Sequence, residues 1–149
     1  SHIPLMVYSP GVDAGRAAEL VQPPDIMPTV LDSAGFDVPA EAHGQSLRPL
    51  LGAADGSRKW SREIAVSSPA LQVGRGREGA KLSVTDGAWA LILGQDGAIA
   101  PELYDLAVDP GEENDIAAAN PAKVEAMRQA CLDWLSDLGA SDERIAAVG

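Results

Sequence analysis

The dipeptide Asp86-Gly87 restricts the fold of this chain more than any other feature of the sequence. It separates an alternating stretch, residues 81–85, from an apolar stretch, residues 88–93. Asp-Gly between two such stretches is typical of a tight β-hairpin. Further short strands are predicted at residues 64–66 and 102–106, the latter after a second turn at Asp96-Gly97. The sequence therefore predicts a small antiparallel sheet.

A long helix is predicted after this sheet. It begins at Asn120-Pro121, a capping residue followed by proline at the first helical position, and it ends at Gly139. Its apolar side chains recur at spacings of three and four: Val124, Met127, Cys131, Trp134, Leu135 and Leu138. This face should cover the sheet, with Trp134 as its main anchor. The tail from residue 140 to 149 is expected to be loosely attached.

The first part of the chain has a different pattern. Residues 3–8 form an apolar run without alternation, which is typical of a strand covered on both faces in a parallel sheet. A helix is predicted over residues 25–35, with Pro28 in its first turn and Gly35 as its left-handed stop. Its apolar stripe consists of Ile26, Met27, Val30, Leu31 and Ala34. The prediction is an α/β part over residues 1–52 and an α+β part over residues 53–149.

The net charge of the chain limits the kinds of molecule that it is predicted to bind. The chain has 11 Lys and Arg against 22 Asp and Glu, a net charge of −11. Such a chain repels phosphate backbones and anionic lipid surfaces, so neither a nucleic acid nor a membrane is predicted as a partner. No apolar run approaches the roughly 20 residues that span a bilayer.

No catalytic or metal-binding set can be assembled from the residues of this chain. Gly74, Gly76 and Gly79 match G-x-G-x-x-G, but a strand and not a helix is predicted to follow, which disfavours a nucleotide site. Cys131 is predicted to pack in the core. The acidic residues 112–115 lack the ligand spacing of a calcium loop and are predicted to form a solvated turn. The sequence offers only two histidines, His2 and His43.

Five phrases in the chain, taken in order, resemble the sulfatase family of the alkaline-phosphatase-like superfamily. They are IPLMV…SPG (3–11), DIMPTVLDSAG (25–35), GQSLRPLLG (44–52), ELYDL…DPGEEND (102–115) and LDWL (132–135). The resemblance implies the C-terminal part of the sulfatase fold, with a small antiparallel sheet packed on a long C-terminal helix. Residues 1–52 would supply the last strand and helix of the catalytic α/β domain, and residues 53–149 a C-terminal subdomain.

The resemblance also implies a parent enzyme that hydrolyses a small-molecule sulfate ester, using formylglycine and a calcium or magnesium ion. The family's C/S-x-P-x-R motif and its metal ligands lie upstream of this region, in an N-terminal catalytic domain that would be the partner of this chain. Residues 67–71 (SSPAL) come nearest to the motif but end in leucine where arginine is needed. No catalytic residue, metal ligand or cofactor is therefore predicted within this chain, and the isolated chain is predicted to be inactive.

Two arginines are candidate substrate contacts. Arg75 and Arg77 lie in the glycine-rich loop, which the resemblance implies is on the cleft side, where they could meet an anionic substrate group; solvated loop arginines are the alternative. Two other functions stay open. One is the tail of a phosphonate or phosphodiester hydrolase of the same superfamily, and the other is a non-catalytic interaction or oligomerisation module.

Overall fold

A computed structural model describes residues 4–52, 60–68, 81–94 and 99–148 of the chain. The chain divides into two units, Ser1–Arg62 and Glu63–Gly149. The boundary predicted between residues 52 and 53 borders the segment 53–59, which lies outside the described residues.

The first unit is built around one short helix. A 3₁₀ turn, Pro23–Asp25, leads into helix α1, Ile26–Ser33, and a second 3₁₀ turn spans Arg48–Leu50. The predicted stop is confirmed, because Gly35 has φ 78° and its N–H donates to the Asp32 carbonyl at 3.2 Å. The N–H of Phe36 donates to the Leu31 carbonyl at 2.9 Å, which completes a Schellman motif.

The strand predicted at the start of the first unit is not formed in the described residues, and the apolar stripe predicted for helix α1 is exposed. Residues 4–8 form no strand, because no other strand in the described parts of the chain pairs with them, and Met6 and Tyr8 are 93% and 90% exposed. The predicted apolar stripe of α1 is also open to solvent, with Val30 60% exposed. The helix instead buries Pro28 and Thr29, which lie on its other side.

The second unit contains an antiparallel sheet of four strands in the order β1-β2-β3-β4. The strands are β1, Ala65–Ser67; β2, Lys81–Thr85; β3, Trp89–Gly94; and β4, Glu102–Asp105. One row of buried side chains runs across all four, since Val66 pairs with Val84, Val84 with Leu91, and Leu91 with Leu103. The hairpin at Asp86-Gly87 and the alternation of β2 are confirmed.

Helix α2, Pro121–Asp137, begins and ends where the sequence predicts. Its buried face consists of Val124, Met127 and Cys131, which join the sheet in one apolar cluster. Trp134 packs against this cluster but is only partly buried, because it lies nearly one helical turn beyond Cys131. The prediction that Trp134 anchors this core stays a prediction, and Met127 is the more buried residue of the same helix face.

The tail is more ordered than predicted. Helix α3 spans Asp142–Ala146, and Val148, only 7% exposed, belongs to the core cluster. None of the helices in the described ranges combines the length and apolar character that crossing a bilayer requires.

Candidate functional site

The predicted substrate contacts Arg75 and Arg77 lie in the segment 69–80, outside the described residues. The turn at Asp96-Gly97 and His2 are also outside them. Several polar groups come together within the described residues.

The most buried polar group is the carboxylate of Asp25, whose side chain is fully buried. Its Oδ2 accepts the Gln22 N–H at 2.7 Å and its Oδ1 the Gln45 N–H at 2.9 Å. Both oxygens also accept from the Arg62 guanidinium, with Nη2 at 2.7 Å from Oδ1 and Nη1 against Oδ2. Asp25 thus joins three stretches of the first unit that are far apart in sequence.

The Arg62 guanidinium is itself enclosed. Its side chain is 8% exposed and lies 5.4 Å from the centroid of the Trp60 ring, within cation–π range. The Trp60 indole N–H donates to the Leu20 carbonyl at 3.0 Å. Burial opposes ionisation of Asp25, but the hydrogen bonds from Arg62, Gln45 and Gln22 outweigh it and hold the pKa of Asp25 below its usual value.

A second polar network starts from the same helix. The Thr29 hydroxyl donates to the Asp25 carbonyl at 2.6 Å and accepts the Leu47 N–H at 2.8 Å. One turn on, Asp32 accepts the Ser46 hydroxyl at 2.5 Å and Arg48 Nη1 at 2.9 Å, and these contacts lower the pKa of Asp32. The phrase DIMPTVLDSAG therefore binds the phrase GQSLRPLLG through its polar residues.

Gly44 is required where these two phrases meet. A Cβ atom built on Gly44 would lie 2.0 Å from the carbonyl oxygen of Pro24, far inside van der Waals contact. Only a residue without a side chain lets this backbone approach the turn before α1 so closely.

In the second unit, a charged pair ties the hairpin to α2. Asp86 Oδ1 accepts the N–H groups of Ala88 and Trp89 at 3.0 and 2.7 Å, and its Oδ2 accepts Lys123 Nζ at 2.7 Å. Lys123 Nζ also lies 5.5 Å from the centroid of the Trp89 ring. Burial opposes ionisation of Asp86, yet these hydrogen bonds lower its pKa overall.

A chain of hydrogen bonds on the sheet holds the hydroxyl group of Tyr104. Its hydroxyl donates to Glu102 Oε2 at 2.8 Å, while Glu102 Oε1 accepts Lys81 Nζ at 3.0 Å. Hydrogen bonding to the Glu102 carboxylate, together with burial, raises the pKa of Tyr104 to about 12. A tyrosine held protonated in this way is a poor general base at neutral pH.

The carboxylates of the acidic segment that follows β4 accept hydrogen bonds from backbone N–H groups. Asp109 accepts the N–H groups of Glu113 and Asn114, and Asp115 Oδ1 accepts those of Leu103 and Ala117, each at 2.8 to 3.1 Å. These hydrogen bonds lower the pKa values of Asp109 and Asp115. Within the described residues, no three His, Cys, Asp or Glu side chains come together to hold a metal ion.

Cys131 is buried in the core, as predicted, and burial raises the pKa of its thiol to about 11. The described polar groups thus stabilise structure and do not form a nucleophile–base pair. The role of Arg62 was not predicted from the sequence. The one available signal was Asp25, because a buried carboxylate needs a cation beside it.

The sequence of this chain is similar to those of known proteins. Residues 1–137 match the family model described as N-sulphoglucosamine sulphohydrolase, C-terminal. A relative, arylsulfatase K of Xenopus laevis, is 33% identical over 132 residues. The match covers 85% of this chain but only 24% of the relative, so the chain spans about a quarter of the length of the curated relatives it matches.

Solved structures share the fold. One is a protein in complex with its substrate D-glucosamine-2-N,6-O-disulfate, with a TM-score of 0.64, 26% identity, and coverage of 80% of this chain and 25% of that one. Another is the phosphonate monoester hydrolase of Agrobacterium radiobacter, with a TM-score of 0.60, 24% identity, and coverage of 76% of this chain and 24% of that one. The second likeness concerns the fold alone.

Proposed function

This chain belongs to the sulfatase family, as the C-terminal portion of its fold, and from that premise we propose that the whole protein hydrolyses sulfuric esters. The observation that carries the proposal is the family match over residues 1–137, joined to relatives and solved structures named as sulfatases. We assign residues 1–52 to the edge of the catalytic α/β domain and residues 53–149 to the C-terminal subdomain.

We assign the catalytic residues for ester hydrolysis to the N-terminal domain of the family's fold. Sulfatases generally use a metal ion and a formylglycine, and the ester's charge must be balanced by cations. The described residues of this chain do not fit a metal ion, because no three potential ligands converge in them. We therefore expect this chain alone to hydrolyse neither sulfate nor phosphate esters, with or without calcium or magnesium.

The partner of the first unit is proposed from its exposed apolar surface. We define this surface by side chains that are 42 to 93% exposed: Leu5, Met6, Val7, Tyr8, Ile26, Met27 and Val30. Large apolar side chains exposed in this number indicate that another part of a protein covers them. Its proposed occupant is the N-terminal catalytic domain of the same polypeptide, and the support for it is that the match covers only 24% of the length of arylsulfatase K.

One substitution tests this partner. Val30→Lys should leave the unfolding of the isolated 149-residue chain nearly unchanged, since Val30 is already 60% exposed. In the whole protein it should lower the thermal midpoint. Val108→Lys is the matched control, because Val108 is 81% exposed and belongs to the second unit. Equal effects of the two substitutions in the whole protein would contradict the proposal.

The proposed substrate is a small molecule bearing a sulfate ester, and the names of the similar proteins favour a sulfated sugar. Arg75 and Arg77 stay candidates for contact with its anionic groups. Replacing both by alanine in the whole protein should raise KM more than it lowers kcat, as expected when uniform binding is lost. Unchanged kinetics would leave them as solvated loop residues.

The deciding experiment examines the sequence upstream of residue 1 and then the activity of the whole protein. We expect a C/S-x-P-x-R motif upstream and turnover of 4-nitrophenyl sulfate or of a sulfated glucosamine. Alanine in place of the motif's Cys or Ser should abolish this turnover. Turnover of a phosphonate monoester or phosphodiester but no sulfate would select the alternative hydrolase. A missing motif without turnover would favour the non-catalytic module.

A further inference from the structure

A cavity in the second unit is not explained by the sulfatase assignment. It has a volume of about 190 Å³, enough for roughly six water molecules. Its walls come from the end of β3, the residues before β4, helix α2 and the tail: Leu93, Gly94, Ile99, Pro101, Arg128 and Val148. Polar atoms form the larger part of the exposed lining, aliphatic side chains form the rest, and Arg128 is the charged side chain among the lining residues.

The shape of this wall depends on a glycine. A Cβ atom added to Gly94 would lie 2.8 Å from the Cβ and 2.9 Å from the backbone nitrogen of Ile99. Ile99 can therefore lie this close to the end of β3 only because residue 94 has no side chain. At this point the cavity wall is close-packed backbone.

Arg128 is the polar group of the cavity, and one of its N–H donors is unused. Its Nε atom is buried and has no hydrogen-bond partner among the described residues. Glu125 Oε2 forms an ion pair with this Nε at 3.8 Å, beyond hydrogen-bond distance, and the Arg128 side chain as a whole is 26% exposed. By contrast, Arg62, Lys81 and Lys123 each donate to a carboxylate within 3.0 Å. An anion that accepts from this Nε–H would therefore add a hydrogen bond that the described residues do not supply.

We propose that this cavity is a binding site for a small organic oxyanion, in which one carboxylate or sulfate-ester group accepts from Arg128 and a compact apolar body rests on Leu93, Ile99 and Val148. Both head groups offer two oxygens that match the guanidinium fork. A single negative charge is favoured, because the net charge of −11 opposes a dianion. The site does not depend on the proposed hydrolase activity, so either proposal can fail without the other.

The test is a titration of the 149-residue chain followed by ¹H–¹⁵N NMR. The probes are isobutyrate, isopropyl sulfate and the neutral isobutyramide. We expect one or both anions to shift the Arg128 Nε–H and the amides of Gly94 and Val148 saturably, and the stronger anion identifies the preferred head group. No saturable shift with either anion would overturn the proposal, as would equal binding of isobutyramide.

Variants of Arg128 separate charge from geometry. Arg128→Gln should weaken anion binding by about ten-fold or more, and Arg128→Lys, which keeps the charge without the fork, by a smaller factor. Arg144→Gln is the matched control, because Arg144 is exposed on α3, and it should bind like the unmodified chain. If Arg128→Gln fails to fold, the lysine variant still decides. Unchanged affinity in both Arg128 variants, or an equal loss in Arg144→Gln, would overturn the proposal.

Discussion

Removing the charge of Arg62 tests the buried network of the first unit. In Arg62→Met, the fully buried carboxylate of Asp25 keeps its backbone donors Gln22 and Gln45 but loses its only cation partner among the described residues. Breaking a buried pair from one side costs about 3–5 kcal/mol. The two remaining donors place the expected loss near the lower limit, about 3 kcal/mol. That is a large part of the roughly 5–15 kcal/mol that holds a typical domain together.

The assay is chemical unfolding of the 149-residue chain, followed by NMR at the Trp60 indole N–H. Trp60 lies against the Arg62 guanidinium and bonds to Leu20, so its resonance reports on this network, whereas Trp89 and Trp134 report on the second unit. The double variant Asp25→Asn/Arg62→Met should lose less than the sum of its two single variants, because neither then leaves an unpaired charge.

An exposed pair on the same helix provides the control. Arg48→Met removes the cation partner of Asp32, but these side chains are 55% and 36% exposed, so the loss should be much smaller than that of Arg62→Met. If Arg62→Met costs no more than Arg48→Met, the reasoning from burial is refuted.

The pH dependence of the network has a definite sign. The lowered pKa of Asp25 means that the folded state binds its proton less readily than the unfolded chain. The stabilisation is therefore present above the ordinary pKa of about 4 and is lost as the pH falls through the lowered value. The difference between Arg62→Met and the unmodified chain should shrink in that range.

Three further predictions concern single positions. Gly44→Ala should destabilise the first unit in thermal unfolding, because its Cβ would lie 2.0 Å from the Pro24 carbonyl oxygen; an unchanged midpoint would show that the turn can shift. Met127→Ala, 3% exposed, should lower the free energy of unfolding by about 2–5 kcal/mol and by more than Trp134→Ala, which opens less of the core; the reverse order in denaturant unfolding would make Trp134 the anchor after all. Cys131, with its pKa raised to about 11, should react with a disulfide reagent at neutral pH only after denaturant is added, and fast labelling of the folded chain would contradict its burial.

The second unit could be predicted well from sequence because its signals are local. The alternation of polar and apolar residues predicted β2, Asp86-Gly87 predicted the hairpin, and Gly139 predicted the end of α2. Each signal lies within a few residues of the structure it specifies. Which turn of α2 lies over the centre of the sheet could not be read in this way. The periodicity of an apolar face is the same along its whole length, so it does not distinguish Met127 from Trp134.

The first unit was harder to predict, for two physical reasons. Residues 4–8 have the composition of a buried strand, but a strand exists only when another strand pairs with it, and none in the described residues does. The Asp25–Arg62 pair joins residues 37 positions apart, and no local pattern encodes such a distance. Residues 69–80, which contain the candidate contacts Arg75 and Arg77, lie outside the described ranges.

The strand order β1-β2-β3-β4 has a consequence for how the second unit acquires its structure. Each strand pairs only with its neighbours in sequence, and α2 follows directly, so most pairings close short loops. Folding rates rise as the sequence separation of contacting residues falls, because less chain entropy is lost before contacts form. The hairpin of β2 and β3 can nucleate first, with β1, β4 and α2 adding to it from either side. Refolding of this unit should therefore be rapid for an antiparallel sheet, with a transition state already ordered around Asp86-Gly87.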